Sequence, residues 1–117
     1  MSDQDEKSAA AFQYLIRILE EAIRAGADSV GLERESGGLS VVQYTRNSGL
    51  ADGPIPKELE QTLVEEIIDR SGLADNPRGE IHINLAGKDY RVIVDERSDF
   101  GESAFNLLLK RSTKARK

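Results

Sequence analysis

Apolar residues return every three or four positions in two stretches of the chain, which is the spacing of one face of a helix. We predict a first helix over residues 9–25 and a second over residues 56–70. Gly26 and Gly72 follow the last periodic residues, and glycine easily adopts the left-handed backbone that ends a helix. The predicted buried stripes are Phe12, Leu15, Ile16, Leu19, Ala22 and Ile23 in the first helix and Leu59, Leu63, Val64, Ile67 and Ile68 in the second.

Elsewhere apolar and polar residues alternate, as they do in a strand with one buried face. Two strands, over residues 29–33 and 39–45, flank a Ser36-Gly37-Gly38 turn and predict a hairpin. The next stretch, residues 46–56, contains two Gly and two Pro and predicts a loop.

The final third of the chain predicts three antiparallel strands, over residues 81–85, 90–95 and 102–110. A polar connection is predicted over residues 97–101. The three consecutive leucines of the last segment also suit a helix. We favour a strand, because the two strands before it need a third partner to form a stable sheet.

The predicted element order is therefore α-β-β-α-β-β-β. Strands in runs, with two interspersed helices, indicate an α+β domain in which the helices pack on a mainly antiparallel sheet. The chain has 117 residues, enough for one domain. We expect residues 1–8 to be a flexible N-terminus, residues 9–110 the single domain and residues 111–117 a flexible basic tail.

Composition excludes several classes of protein. The chain is 38% hydrophobic, too apolar for a wholly disordered protein, and its formal net charge of −5 argues against a nucleic-acid binder. It has no cysteine, so thiolate chemistry and cysteine-ligated zinc are absent. No apolar run approaches the roughly 20 residues of a membrane span. The N-terminus is charged and mostly acidic, which is not typical of a secretory signal. We therefore expect a cytoplasmic protein without membrane insertion.

The C-terminus carries a concentration of positive charge. Five of the 16 basic residues lie in the last eight positions: Lys110, Arg111, Lys114, Arg116 and Lys117. One interpretation is a solvated chain end. The other is an electrostatic arm toward an acidic protein, an anionic lipid or a phosphate.

The usual catalytic constellations are missing from the sequence. A Ser-His-acid triad would need His82, the single histidine, which is predicted on the exposed face of its strand. The Ala86-Gly87-Lys88 turn lacks the preceding glycine and the following Ser or Thr of a phosphate-binding loop, and it joins two strands. We therefore expect no enzymatic activity, no cofactor and no metal site.

Taken in order, several short segments are similar to one known family. The run AIRAGADSVGLE (residues 22–33) resembles the opening of the domain that precedes the motor in the ATPases of bacterial type II secretion and type IV pilus assembly. Further similar segments are the start and the end of the second helix, PRGEI (77–81), KDYRV (88–92) and GES (101–103). The resemblance covers residues 12–110. Two departures are that Asp28-Ser29 inverts the family's Ser-Asp order and that Gly31 replaces a histidine.

The resemblance implies a PAS-like domain of the N2 type that packs on a RecA-like motor and directs arginines toward nucleotide at a subunit boundary. Arg91 occupies the position of the family's strand arginine. Arg46 matches a loop arginine only if two residues are inserted, and Leu107 replaces a third arginine. Gly101 and Glu102 match the family's Gly-Glu-Ser. The candidate binding residues are therefore Arg91, Arg46, Gly101 and Glu102, together with the basic residues of the C-terminal tail.

The expected function is that of a non-catalytic accessory or regulatory domain. It would bind a protein of the secretion or pilus apparatus, such as its ATPase, and be recruited to that apparatus at the inner membrane. A small-ligand sensor, with Arg91 and the tail contacting a nucleotide, is an alternative. A third reading is a structural homodimer that pairs through an exposed edge on the final strand. The missing motor fits either a fragment of a full ATPase or a free-standing relative, and the MSDQDEKS start and the lost arginines favour the relative.

Overall fold

The computed structural model describes residues 3–35, 38–76, 78–99 and 102–112. The described chain contains two helices and a six-stranded antiparallel sheet, so the predicted α+β class is confirmed. The elements are α1 (Asp3–Arg24), β1 (Ser29–Glu35), β2 (Gly38–Tyr44), β3 (Gly49–Pro54), α2 (Lys57–Ser71), β4 (Arg78–Leu85), β5 (Lys88–Asp99) and β6 (Glu102–Arg111). The helix α2 ends as predicted: Gly72 has a φ of 78° and its N–H donates to the carbonyl of Ile68.

The sheet joins two meanders. Its strand order is β3-β2-β1-β6-β5-β4, so β1, β2 and β3 form one half and β4, β5 and β6 the other. The first and last strands meet at the centre, where β1 pairs with β6 from Ser29↔Leu108 to Leu32↔Phe105. The outer strands are β3 and β4, each paired on one side only among the described residues.

One face of the sheet packs against both helices. Strand side chains alternate between the two faces, and one set points into a single apolar core with residues of α1 and α2. The buried strand residues of this set are Val30, Leu32, Leu39, Val41, Ile81, Leu85, Val92, Val94, Phe105 and Leu107. From the helices, Ala11, Leu15, Ile18, Leu19, Ala22, Leu63 and Ile67 complete the core. We call the other side, formed by the strand side chains that point away from the helices, the open face.

The helices differ from the prediction mainly at the start of α1. This helix begins at Asp3, so residues 3–8, which were expected to be a flexible terminus, continue it by almost two turns. The sequence there is rich in residues that favour helices, but its lack of apolar residues gave no periodic signal. Ile18 is buried although the predicted stripe omitted it.

The prediction of a loop over residues 46–56 is wrong, because residues Gly49–Pro54 form strand β3. This strand pairs with β2 from Tyr44↔Gly49 to Ser40↔Pro54, with a register shift between Val41 and Val42. It is exposed along most of its length, so it shows no alternation of apolar residues. Backbone hydrogen bonds to β2 hold the strand, and sequence periodicity does not report them. The order αββαβββ is thereby corrected to αβββαβββ.

For the final third of the chain, the strands were predicted correctly, but the position of the last strand in the sheet was not. The segment 102–110 is a strand, as favoured, but β6 lies at the centre of the sheet and offers no exposed edge. Its partner β1 is over 70 positions earlier in the sequence, and local patterns do not reveal such a pairing. In addition, β5 continues to Asp99 and pairs with Glu102, so residues 97–99 are strand where a polar connection was expected. The turn predicted at Ser36 and Gly37 lies outside the described residues.

Candidate functional site

Arg91 lies on the open face at the centre of a charged cluster. Its Nη1 donates to Oε2 of Glu80 on β4 at 2.5 Å, and Nε2 of His82 lies 3.4 Å from Oε1 of the same carboxylate. The hydrogen bond from Arg91 is the main reason that the pKa of Glu80 lies below its ordinary value. The prediction that His82 lies on the exposed face of its strand is confirmed, since 67% of its side chain is exposed.

Of the two described residues that were assigned to the basic C-terminus, Lys110 lies beside Arg91 on the open face, whereas Arg111 lies on the helix-facing side. Lys110 is directly opposite Arg91 on β6, and Arg111 is opposite Tyr90, with its guanidinium carbon 6.0 Å from the ring centroid. Both belong to strand β6, so the predicted flexible tail from residue 111 is corrected at its first position. Lys114, Arg116 and Lys117 lie outside the described residues.

A shallow depression of about 330 Å³ adjoins this cluster. Its lining comes from β4, from the start of β5 and from Ser112, which follows β6 and donates its N–H to the carbonyl of Asp89. The lining residues are His82, Ile83, Asn84, Asp89, Tyr90 and Ser112. The depression combines the ring of Tyr90 with an imidazole, an amide, a hydroxyl and one carboxylate.

The other candidates are not part of this cluster. Arg46 lies in the exposed turn between β2 and β3, and two strands, β1 and β6, separate β2 from β5. Glu102 begins β6 and pairs with Asp99, eight positions before Lys110 on the same strand. At 3.4 Å per residue, that separation is roughly 27 Å. Gly101 and the side chain of Glu102 lie outside the described residues. The structure therefore places Arg91 near Lys110 and does not place Arg46 or Glu102 near either.

The open face has an apolar centre that sequence reasoning missed. Cross-strand register aligns Tyr44, Ser29, Leu108 and Ile93 in one row across four strands. Tyr44, Leu108 and Ile93 are all half-buried, and no described helix covers them. The alternation of Ser40, Val42 and Tyr44 predicted that these side chains share one face of their strand. It could not predict the row across four strands, which exists only because β1 pairs with β6. The result is a partly exposed apolar strip with charged residues around it.

The ring of Tyr44 is held down on this face by its neighbours. Its hydroxyl donates to Oε2 of Glu33 on the adjacent strand. A Cβ added at Gly31 would lie 3.0 Å from the ring, and one added at Gly49 would lie 2.9 Å from it. Because glycines flank the ring on both sides, it can lie flat against the backbone. Tyr44 is therefore a fixed part of the surface.

A second row on the open face ends in an ion pair. Register places Val42, Gly31, Asn106, Asp95 and Arg78 side by side. Nε of Arg78 donates to Oδ1 of Asp95 at 2.9 Å, and 65% of the arginine side chain is exposed. Together, the two rows give an apolar centre with polar and charged groups toward the β4 edge. An apolar centre with a polar rim is also the arrangement found in many protein–protein interfaces.

Other kinds of site have less support among the described residues. No group of three or more His, Cys, Asp or Glu side chains in that part of the chain could hold a metal ion. No helix among the described residues is both long and apolar enough to cross a membrane. A further surface depression, of about 580 Å³, lies along the exposed side of α1, next to Leu59 of α2, and has both polar and apolar side chains in its lining.

Comparison with known proteins relates the fold to a solved ATPase. No protein-family model and no curated protein matches the sequence. Among solved structures, the X-ray structure of the Legionella pneumophila ATPase DotB is similar, with a TM-score of 0.56 and 16% sequence identity. The similarity covers 86% of this chain and 28% of that chain. The chain thus has the fold of a part of this ATPase and spans little more than a quarter of its length.

Proposed function

We propose that the chain is a non-catalytic accessory domain that binds a protein of a secretion or pilus-type apparatus through its open face. The partner that fits best is the apparatus ATPase. The fold similarity to a part of the ATPase DotB carries this proposal, because the family resemblance of the sequence points to the same class of protein. In this proposal the chain acts in the cytoplasm and corresponds to the domain that precedes the motor.

The surface chemistry supports binding to a protein. The half-buried row of Tyr44, Leu108 and Ile93 would supply the apolar contact area, and fixed groups such as Tyr44 lose little conformational entropy on binding. The ion pairs Arg78–Asp95 and Arg91–Glu80 would form the rim, where charges direct orientation more than they add affinity.

A binding experiment with paired variants tests this proposal. The full chain is immobilised and titrated with the purified secretion or pilus ATPase of the source organism. Leu108→Glu introduces a charge at the centre of the apolar row and should weaken binding at least tenfold. Gln61→Glu introduces the same charge on the exposed side of α2, away from the open face, and should leave binding unchanged. Circular dichroism shows whether both variants remain folded.

Two results would overturn the proposal. One is the absence of binding at tens of micromolar ATPase. The other is equal binding by the two folded variants, since the ATPase would then contact another surface. If the natural protein continues into a motor domain, the same face would serve packing between its own domains, and Leu108→Glu would then lower ATPase activity of the longer protein.

A ligand sensor is the second candidate, and the adjacency of Arg91 and Lys110 favours it. Two cations on neighbouring strands, next to a depression of about 330 Å³, are suited to an anionic group. Isothermal titration with ATP should then show saturable binding that Lys110→Ala weakens. Glu80 already neutralises part of the charge of Arg91, so we rank this function second.

A further inference from the structure

The two edges of the sheet are built differently. Strand β3 is short, has Gly49, Gly53 and Pro54 in its six residues and pairs with a register shift, all of which hinder a further strand. Strand β4 has eight residues and pairs with β5 without a shift from Arg78↔Asp95 to Leu85↔Lys88. No described strand pairs with its outer side. It is therefore the long, regular edge, the kind that accepts another strand.

The turn after β4 determines which backbone groups point outward. Ala86 and Gly87 have φ values of 52° and 82°, as in the two-residue turns in which the flanking pair, Leu85 and Lys88, is hydrogen-bonded. Hydrogen-bonded and non-bonded pairs alternate along an antiparallel ladder. The N–H and C=O groups of Glu80, His82 and Asn84 therefore point away from β5, toward the free edge.

We propose that β4 is the interface between two copies of this chain, which pair antiparallel through their β4 edges. The two six-stranded sheets would then form one continuous sheet, with all helices on one side. This proposal goes beyond the function proposed above, because it concerns the chain alone and leaves the open face available to another protein.

The residues of β4 select one register for this pairing. In a two-fold symmetric pair, the axis passes beside one residue, which then faces its own copy. An axis at Glu80 brings two carboxylates together, and an axis at His82 brings two imidazoles together. An axis at Ile81 pairs each Glu80 with the partner's His82, on the open face. Of these, only the Ile81 register places each Glu80 opposite an imidazole, which can donate a hydrogen bond to the carboxylate. An axis at Gly79 would place Arg78 opposite Glu80, but it would pair only residues 78–80 of β4.

The helix-facing side fits the same register. Ile81 would face the partner's Ile81 beside the core, and each half-buried Ile83 would lie opposite the partner's Gly79. Ser71 at the end of the partner's α2 lies over Gly79, so the isoleucine would pack beside this helix end. An axis at Ile83 would instead place Glu80 opposite Ala86 and leave its charge without a partner on the second chain.

The charge arrangement at Glu80 is compatible with a second imidazole. One carboxylate oxygen accepts from Arg91 and the other faces His82 of the same chain at 3.4 Å. A carboxylate offers about four acceptor positions, so it can accept from the partner's His82 as well. A direct cross-strand pair of this kind stabilises a sheet when the imidazole carries a proton, because the two charges are then opposite.

Sedimentation equilibrium of the full chain tests the association. At tens of micromolar we expect twice the monomer mass of 12.9 kDa. His82→Pro removes an outward N–H without removing a hydrogen bond to β5, and should raise the dissociation constant at least tenfold. His82→Glu places a carboxylate against the partner's Glu80 and should weaken the dimer, whereas His82→Lys places a cation there and should retain it.

A disulfide experiment tests the register, because the chain has no cysteine of its own. Chains with Glu80→Cys and chains with His82→Cys are mixed in equal amounts and oxidised. The Ile81 register predicts the mixed disulfide as the main product, since these positions would face each other within the range of a disulfide. Homodisulfides of either variant as the main product would overturn the register.

The association itself is overturned by either of two outcomes. One is a monomer mass at 100 µM or more. The other is a dimer that His82→Pro and His82→Glu leave unchanged while circular dichroism shows both to be folded. A failure to bind a secretion ATPase has no bearing on these results, so the two proposals fail independently.

Discussion

The charge of Glu80 makes the stability of the fold depend on pH. Its pKa is lowered chiefly by the hydrogen bond from Arg91, so the native state favours the ionised carboxylate. A carboxyl group of this kind stabilises the fold above its unfolded pKa of about 4.3, and the contribution is lost as the pH falls through the lower native value. Glu80→Gln should therefore be less stable than the natural chain at pH 6, and the difference should shrink at pH 3. Urea unfolding at a concentration where the chain is monomeric measures it; an equal difference at both pH values would contradict the assignment.

Gly79 is required by close contact and not by backbone conformation. A Cβ at this position would lie 2.5 Å from Cβ of Ser71 and 2.7 Å from its carbonyl oxygen, where α2 crosses β4. We expect Gly79→Ala to lower the free energy of unfolding by about 2–3 kcal/mol, because overpacking displaces the helix end. Gly87→Ala is the control: its Cβ meets nothing within 4 Å, and only its φ of 82° is unfavourable, for about 1 kcal/mol. Urea unfolding measures the free energy of unfolding of both variants. Comparable losses would show that α2 and β4 move apart to accommodate the added methyl group.

At the scale of elements, the spacing of apolar residues predicted those helices and strands that bury one face. Helix α2 and strands β1, β2, β4, β5 and β6 each bury one face, so their apolar residues recur at the period of the element. The same reasoning failed at β3 and at the first turns of α1, which are mostly exposed and are held by backbone hydrogen bonds. Sequence patterns report burial, so an element that buries little is missed.

The final strand offers a direct test of which face is covered. Leu107 points into the core and is 1% exposed, whereas Leu108 is half-buried on the open face. Leu107→Ala should lower the free energy of unfolding by about 2–5 kcal/mol, the cost of a cavity in a core. Leu108→Ala should cost about 1 kcal/mol or less, because neither of the two described helices packs on it. Urea unfolding of both variants measures the difference; similar costs would mean that the open face is covered.

At the scale of the whole molecule, the candidate site depends on pairings between distant segments. The sequence named Arg91, Arg46 and Glu102 from one family resemblance, and each was placed on a plausible element. Whether they meet depends on the strand order, in which β6 enters between β1 and β5. Neither the isolation of Arg46 nor the apolar row around Leu108 could be predicted without that order. Local patterns gave the class of fold, and the long-range pairing of β1 with β6 created the surface.

This pairing also predicts that the chain unfolds as one unit. A single apolar cluster includes both helices and strands from both meanders, and β1 and β6 join the halves through four paired positions. Neither half can keep its core without the other, so two-state unfolding is expected.

The tyrosines of the chain allow this expectation to be measured. The chain has no tryptophan and three tyrosines, Tyr14 on α1, Tyr44 on β2 and Tyr90 on β5. A variant that retains only Tyr14 reports on α1 by its fluorescence, and a variant that retains only Tyr90 reports on the meander of β4, β5 and β6. Their urea midpoints should coincide with the midpoint of helix circular dichroism; midpoints that differ by more than the fitting error would mean that the meanders unfold separately.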